Sequence, residues 1–140
     1  MNNPIRVAII DDHPMIRQTW KMVLQRDPRI QIIAEGASGA EAIECARNHS
    51  PDIILMDINM SPINGFEATR HIAENYPAIK IIGTSFNNQP AYARHMLEAG
   101  AKGYVTKNSP CTEMLEAIVM INNGGTYLCD DLKGHTEEKN

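Results

Sequence analysis

Carboxylates, hydroxyls and one amine follow the apolar runs of this chain, at positions where they can act together. Asp11 and Asp12 come directly after one run, Asp57 closes another, and Lys107 follows a third. A pair of hydroxyl residues at 84–85 closes a further run. These residues are spread over almost a hundred positions, so only a fold that gathers the ends of several strands can bring them together.

Three carboxylates at one place need a cation. Two of them about 4 Å apart repel by roughly 4 kcal/mol at an effective dielectric of 20. A small set of hard oxygen ligands suits Mg²⁺, or Mn²⁺ in its place, and such an ion commonly shares its shell with a phosphate. With the charge neutralised, Asp57 could attack phosphorus and form an aspartyl phosphate, which Lys107 and a hydroxyl would stabilise.

Each of these residues also has an ordinary structural interpretation. A single Asp after a strand is more often a turn former or helix cap than a nucleophile, and Lys107 alone would be a solvated side chain. The pair Asp11-Asp12 is harder to explain in this way, because one acid can cap a helix while the other still needs a partner. Joint placement at one edge of a sheet is what favours the chemical interpretation.

The hydrophobic pattern predicts five strands that alternate with five helices. The predicted strands cover residues 5–10, 30–34, 53–56, 79–85 and 103–106. The predicted helices cover residues 14–26, 40–48, 65–75, 89–99 and 110–122. Strands joined by crossover helices form a parallel sheet covered on both faces, so the fold class is a doubly wound α/β fold. In such a sheet all carboxyl ends meet at one edge, where ligands bind.

The length and the net charge of the chain exclude several classes of function. The chain has 140 residues, 13 basic and 17 acidic side chains and a net charge of −4. One domain of this size buries roughly two thirds of its unfolded surface and needs no disulfide. The negative charge argues against direct nucleic acid contact and against membrane binding. No apolar run is long enough to span a bilayer, so we expect a cytoplasmic protein.

Cysteine and histidine patterns suggest no separate site. The three cysteines are far apart and odd in number, which predicts reduced thiols. The five histidines show no ligand spacing, and the expectation for them is surface or packing roles. His13 adjoins the acid pair and is expected at most to affect metal affinity.

As a set, the motifs resemble the receiver domain of bacterial two-component response regulators. The resemblance extends over about residues 5–125 and is carried by the segments 9–13, 55–60, 65–67, 81–85 and 100–107. It implies a flavodoxin-like five-stranded sheet with the strand order 2-1-3-4-5. It also implies a phosphorylation-switched signalling domain rather than a turnover enzyme.

The resemblance assigns roles to the residues of the phosphorylation site. Asp57 matches the phosphoacceptor, Asp12 the direct metal ligand, and Asp11 the acid that reaches the metal through water. The backbone carbonyl of Asn59 matches the remaining ligand that the protein supplies to the metal. Lys107 matches the lysine that pairs with the phosphoryl group.

Further residues match the switch of the family. Ser85 resembles the hydroxyl residue that turns toward the phosphoryl group, and we prefer it to Thr84 because its spacing fits. Tyr104 matches the aromatic residue that rotates inward on activation, although without the resemblance the favoured interpretation is a half-buried strand tyrosine. Asn59 and Asn87 flank the phosphoryl group and are predicted to tune its lifetime.

The resemblance implies partners as well. A sensor histidine kinase, or a small donor such as acetyl phosphate, would supply the phosphoryl group. The recipient of the signal would be the protein's own output domain or a downstream protein, and a homodimer can form on phosphorylation. Residues 124–128 resemble the join found in receivers that carry a C-terminal LuxR-type helix-turn-helix domain. We therefore expect a receiver domain over residues 1–128 and a polar tail or truncated linker over 129–140.

Two other functions of similar chemistry are less well matched. A magnesium-dependent phosphohydrolase of the haloacid dehalogenase type also forms an aspartyl phosphate, but its motif D-x-D-x-T follows the first strand, whereas the acids here are adjacent. An FMN-binding flavodoxin-like protein needs a Ser/Thr/Gly-rich phosphate loop after the first strand, where this chain has Asp-Asp-His-Pro.

Overall fold

The structure, a computed structural model, describes residues 3–129. Its strands are β1 Ile5–Ile10, β2 Ile30–Gly36, β3 Ile53–Asp57, β4 Lys80–Ser85, β5 Gly103–Thr106 and β6 Tyr127–Leu128. Its helices are α1 Pro14–Leu24, α2 Gly39–His49, α3 Gly65–Asn75, α4 Pro90–Ala99 and α5 Cys111–Asn122. Each predicted strand and helix is present, and the predicted bounds are off by four residues or fewer.

All strands pair in parallel, in the order β2-β1-β3-β4-β5-β6. The doubly wound α/β fold is therefore confirmed, but the expectation of five strands in the order 2-1-3-4-5 is wrong by one strand. The additional strand β6 has only two residues, too few for any periodicity to show. It exists because the backbone N–H groups of Tyr127 and Cys129 donate to the carbonyls of Lys102, directly before β5, and of Tyr104 on β5.

The core lies on both faces of the sheet. Every residue of β3 is buried, as expected for a central strand covered on both sides. Helices α1 and α5 contact one another, while α2, α3 and α4 form a second contiguous row. The central position of β3 fixes the place of its last residue, Asp57, at the middle of the carboxyl edge.

Local sequence explains where the helices begin and end. Asn64 caps α3 through a capping box, in which its side chain accepts from the Glu67 N–H and the Glu67 side chain accepts from the Asn64 N–H. Pro14 occupies the first turn of α1, where no amide hydrogen is needed. Gly100 ends α4 with φ of +118°, a left-handed conformation that glycine adopts without steric cost.

Across residues 3–129, none of the helices has the length and apolar character needed to cross a membrane.

Candidate functional site

The carboxylates predicted from the sequence meet at the carboxyl edge of β1 and β3. These two strands are paired neighbours, with Ile10 opposite Met56. Asp11 directly follows β1 and is 1% exposed, and Asp57 ends β3 and is fully buried. Asp12 is the solvent-facing member, with a side chain 41% exposed. The site thus has a buried floor of two acids and one acid at its rim.

Asp57 has one satisfied oxygen and one unsatisfied oxygen. The backbone N–H of Asn59 donates to its Oδ1 at 3.1 Å, and Lys107 Nζ lies 3.4 Å from the same atom. Its Oδ2 is buried and has no hydrogen-bond partner among residues 3–129. Burial raises the pKa of Asp57 to about 6, and the nearby Asp11 charge acts in the same direction, while Lys107 and the Asn59 N–H oppose the rise. An oxygen in this state is suited to bind a cation or an electrophile.

Lys107 supplies the positive charge at the floor of the site. Its side chain is 1% exposed, and its Nζ lies 2.8 Å from Asp11 Oδ2. The position is fixed from the backbone, because the Lys107 N–H donates to the Ser85 carbonyl at 2.8 Å. The exposed ring of Phe86 covers the ammonium from outside, with Nζ 5.3 Å from the ring centroid.

Of the two candidate hydroxyls, Ser85 is the one that joins the polar network of the site. Its Oγ accepts from the Asn59 side-chain amide at 3.0 Å and from the Asn87 backbone N–H at 3.1 Å. Thr84 is buried beside Asp57 in the sheet register, and its carbonyl accepts from the Ile58 N–H. Asn59 therefore connects Asp57 to Ser85, through its backbone on one side and its amide on the other.

Tyr104 is fully buried, so the expectation of a half-buried strand tyrosine is wrong. Its Oη donates to the Asn87 carbonyl at 2.8 Å. Burial raises the pKa of this phenol to about 12. Gly83 is opposite in β4, and a Cβ there would lie 2.8 Å from Met96 Cε and 3.2 Å from Tyr104 Cδ2, so the glycine leaves space for both side chains. The ring thus occupies the interior beneath the loop that follows Ser85.

His13 was missed as a member of the site. Its Nδ1 lies 2.8 Å from Asp11 Oδ1, 3.0 Å from Asp12 Oδ1 and 3.7 Å from Asp57 Oδ2. The prediction that no histidine has ligand spacing is therefore wrong for His13. The available signal was its position directly after the acid pair, where the first turn of α1 bends the chain back over the site.

The donor set fits a divalent metal ion. One ligand atom from each of Asp11, Asp12, His13 and Asp57 can be chosen so that all lie within 4.8 Å of one another. The Oδ2 of Asp57 is buried and has no hydrogen-bond partner within residues 3–129, so this oxygen fits a metal ligand. Hard carboxylate oxygens in this number suit Mg²⁺ or Mn²⁺.

Gly65 fixes the loop between β3 and α3. A Cβ at this position would lie 2.4 Å from the Asp57 carbonyl oxygen and 2.5 Å from Ile58 Cα. The Gly65 N–H also donates to the Ile58 carbonyl. The start of α3 therefore packs directly on the backbone of Asp57, which only glycine permits.

Comparisons with known proteins agree with this geometry. The sequence pattern described as the response regulator receiver domain matches residues 7–119. The transcriptional regulatory protein DegU of Brevibacillus brevis is 38% identical over 126 residues, which are 90% of this chain and 53% of DegU. The oxygen regulatory protein NreC of Staphylococcus epidermidis is 34% identical over 125 residues, 89% of this chain and 57% of NreC. The chain therefore spans little more than half the length of these relatives.

Solved structures give the same result for the fold. A two-component response regulator of the LuxR family from an Aurantimonas species superposes with a TM-score of 0.93 at 34% identity, covering 98% of both chains. The signal receiver domain of the putative response regulator NarL from Mycobacterium tuberculosis superposes with a TM-score of 0.84 at 27% identity, covering 88% of this chain and 99% of that one.

Proposed function

Because the chain belongs to the response regulator receiver domain family, we propose that it accepts a phosphoryl group on Asp57 in a magnesium-dependent reaction. The observation that carries this proposal is the buried Asp57 carboxylate: its Oδ2 has no hydrogen-bond partner within residues 3–129, and its Oδ1 lies 3.4 Å from Lys107 Nζ. A carboxylate held in this way lacks only an ion and an electrophile.

The proposed transfer forms a bond between phosphorus and one carboxylate oxygen of Asp57. It breaks the bond between phosphorus and the donor, which is a phosphohistidine of a sensor kinase or a small acyl phosphate. Asp57 is already ionised above its pKa of about 6, so no base is needed to prepare it. Lys107, which now contacts Asp11 and Asp57, supplies a cation for the new phosphoryl oxygens.

The metal ligands proposed are Asp11, Asp12, Asp57 and the backbone carbonyl of Asn59, with Mg²⁺ or Mn²⁺ as the ion. When bound, this ion neutralises the charge that builds up on the transferring phosphoryl group. Asp12 is suited to direct contact with the ion because it faces solvent. Asp11 is suited to contact through water because its Oδ1 already accepts from the His13 N–H and its Oδ2 faces Lys107.

Ser85 and Tyr104 are proposed to carry the switch. Ser85 Oγ accepts from Asn59 and Asn87, so a turn of this oxygen toward a phosphoryl group would disturb those two bonds. Asn87 in turn binds the Tyr104 phenol through its carbonyl. A shift at Ser85 therefore reaches the buried ring through one residue. Asn59 contacts Asp57 and Asn87 contacts Ser85, and both are proposed to tune the lifetime of the phosphoryl group.

In the structure the Tyr104 ring already lies inside the domain, which changes the expected course of the switch. We propose that phosphorylation alters the anchor of an inward ring, and does not have to bring the ring in from solvent. Two packings of the loop 86–89 then differ in free energy according to whether Asp57 is esterified.

The wider role follows from the family and its relatives. We propose a cytoplasmic signalling protein, not a turnover enzyme, that receives phosphate from a sensor histidine kinase. The signal would pass to an output domain or a downstream protein, with dimerisation on phosphorylation as one route. The LuxR-family likeness supports a helix-turn-helix output domain in the whole protein. Any DNA contact would then belong to that domain and not to the acidic receiver.

The decisive experiment is incubation with Mg²⁺ and acetyl phosphate, followed by intact-mass measurement. We expect one added phosphoryl group that is labile in alkali and absent in the Asp57→Ala protein. Asp52→Asn is a matched control, since Asp52 is an exposed acid that accepts a hydrogen bond from the Arg6 N–H at the far end of the sheet. Labelling that survives Asp57→Ala overturns the proposal. Continued release of many equivalents of phosphate would instead favour the phosphohydrolase alternative.

A further inference from the structure

The position of His13 bears on which metal ion the site selects. Its imidazole Nδ1 lies among the carboxylates, whereas the ring itself is half exposed and leans edge-on toward Phe86 with centroids 6.3 Å apart. Resting on the proposed metal site, we infer that His13 Nδ1 is a fourth protein ligand that shifts the preference of this site from Mg²⁺ toward transition metals such as Mn²⁺.

The distances fit ligands of one ion. Adjacent ligands of an octahedral ion with bonds of about 2.1 Å lie about 3 Å apart. Nδ1 is 2.8 Å from Asp11 Oδ1 and 3.0 Å from Asp12 Oδ1, with Asp57 Oδ2 at 3.7 Å. The nitrogen therefore stands at ligand spacing from Asp12, the acid proposed to contact the ion directly, and near the buried oxygen that has no hydrogen-bond partner within residues 3–129.

Nδ1 is the ring atom that faces the polar groups of the site. It lies at hydrogen-bond distance from Asp11 Oδ1, and Lys107 Nζ lies 3.2 Å away. An imidazole nitrogen has one lone pair, so a metal ion at Nδ1 would take the place of these two contacts.

The backbone of His13 is held at the site independently of its imidazole ring. His13 is the N-cap residue of α1, and its side chain makes no capping hydrogen bond, so the imidazole is not needed to start the helix. Its N–H donates to Asp11 Oδ1 at 2.8 Å, which ties the residue to the floor of the site. The ring can therefore be replaced while the fold and the carboxylates stay in place.

A nitrogen ligand changes the selectivity in a defined direction. Mg²⁺ prefers oxygen ligands and keeps its waters, whereas imidazole suits the borderline transition metals. The wild-type site should thus bind Mn²⁺ and Ni²⁺ much more tightly than Mg²⁺. A site built from the three acids alone should discriminate less between these ions.

The test is calorimetric titration of the metal-free protein with MgCl₂, MnCl₂ and NiCl₂. Two variants remove the nitrogen: His13→Ala, and His13→Phe, which keeps a ring against Phe86. His71→Ala, an exposed histidine on α3, is the matched control for unspecific binding through imidazole. Loss of the ligand should weaken Mn²⁺ and Ni²⁺ binding by about tenfold or more and leave Mg²⁺ binding little changed.

Direct contact between the His13 ring and the metal ion is measured separately from the metal affinity. Diamagnetic and Mn²⁺-loaded samples are compared by NMR, and the His13 ring signals of the wild type should be broadened beyond detection at one equivalent of Mn²⁺. Unchanged Mn²⁺ and Ni²⁺ affinities in both variants overturn the inference. It is equally overturned if all three ions bind more tightly after the ring is removed, since His13 would then be a counter-ion that blocks the site.

Failure of this inference is distinguishable from failure of the proposed function. If the wild type binds Mg²⁺ and accepts phosphate on Asp57 while the His13 variants keep the wild-type metal preference, only the role of His13 is lost. If the wild type binds none of the three ions, both proposals fail.

Discussion

Lys107 Nζ lies closer to Asp11 than to Asp57, at 2.8 Å from Asp11 Oδ2 and 3.4 Å from Asp57 Oδ1. The ammonium thus holds two buried acids together before any phosphoryl group arrives. Its roles in stability and in phosphoryl transfer are therefore separable by experiment.

Replacing Lys107 by Met should destabilise the metal-free protein by on the order of 3 kcal/mol, because two buried carboxylates then lose their counter-ion. Lys107→Arg keeps the charge and should lose less. The free energy of unfolding is measured by urea denaturation in EDTA at pH 8. A Lys107→Met protein as stable as the wild type would contradict this account of the pair. Addition of Mg²⁺ should recover part of the loss, since the ion takes over the neutralisation.

Asp57→Asn should stabilise the metal-free protein. The folded state raises the pKa of Asp57 from 3.8 to about 6, so ionising this group costs the folded state free energy. The cost is absent below about pH 4, grows as the pH rises to about 6, and is constant above that. Above pH 6 the variant should be more stable by on the order of 3 kcal/mol, and the gain should vanish toward pH 4.

The measurement is denaturant unfolding in EDTA at several pH values between 4 and 8. Asp52→Asn serves as the control, because Asp52 is exposed and accepts from the Arg6 N–H, so its replacement should give no gain. Equal stability of Asp57→Asn and wild type at pH 8 would show that burial of this carboxylate costs nothing. Mg²⁺ should stabilise the wild type more than the variant.

Tyr104→Phe should separate phosphorylation from the response of the domain. It removes the hydrogen bond to the Asn87 carbonyl and leaves the ring volume, at a cost of about 1 kcal/mol in stability. Labelling of Asp57 by acetyl phosphate should persist. The amide chemical shifts of loop 86–89 should respond less to phosphorylation than in the wild type. A full wild-type shift pattern would exclude the Tyr104–Asn87 bond as the link.

Gly65→Ala should be more damaging than a glycine replacement outside the site. The added Cβ would meet the Asp57 carbonyl oxygen at 2.4 Å, and backbone cannot yield as a side chain can. We expect a loss of about 3 kcal/mol and slower labelling of Asp57. Gly124→Ala is the matched control: φ is +98° but open space surrounds the Cβ, so the cost should be about 1 kcal/mol. Equal losses in thermal or urea unfolding would contradict the close packing at Gly65.

Much of the fold was predictable from the sequence, because each of the first five strands is an apolar run with a turn signal behind it. The helix bounds shifted where hydrogen bonds, not composition, decide them: α1 was predicted to reach residue 26 but ends at Leu24. The sixth strand was not predictable, since Tyr127 and Leu128 are extended only through pairing with β5. Tertiary contacts, and not local preference, made these differences.

The site was predictable in its acids and its lysine, because topology alone places the ends of parallel strands at one edge. Two features depended on side-chain directions that a sequence does not contain. His13 turns its Nδ1 into the acids from a residue expected to be peripheral. Tyr104 lies wholly inside, where its ring and Met96 both pack close to Gly83. Both depend on rotamers that the surrounding packing selects.

The short strand β6 also determines how the chain leaves the domain. The Cys129 N–H donates to the carbonyl of Tyr104. The end of β6 is therefore bound to the backbone of the residue whose phenol donates to the Asn87 carbonyl, in the loop after Ser85. A displacement of β5 would therefore be transmitted to β6 and to Cys129 through the backbone hydrogen bonds that join the two strands.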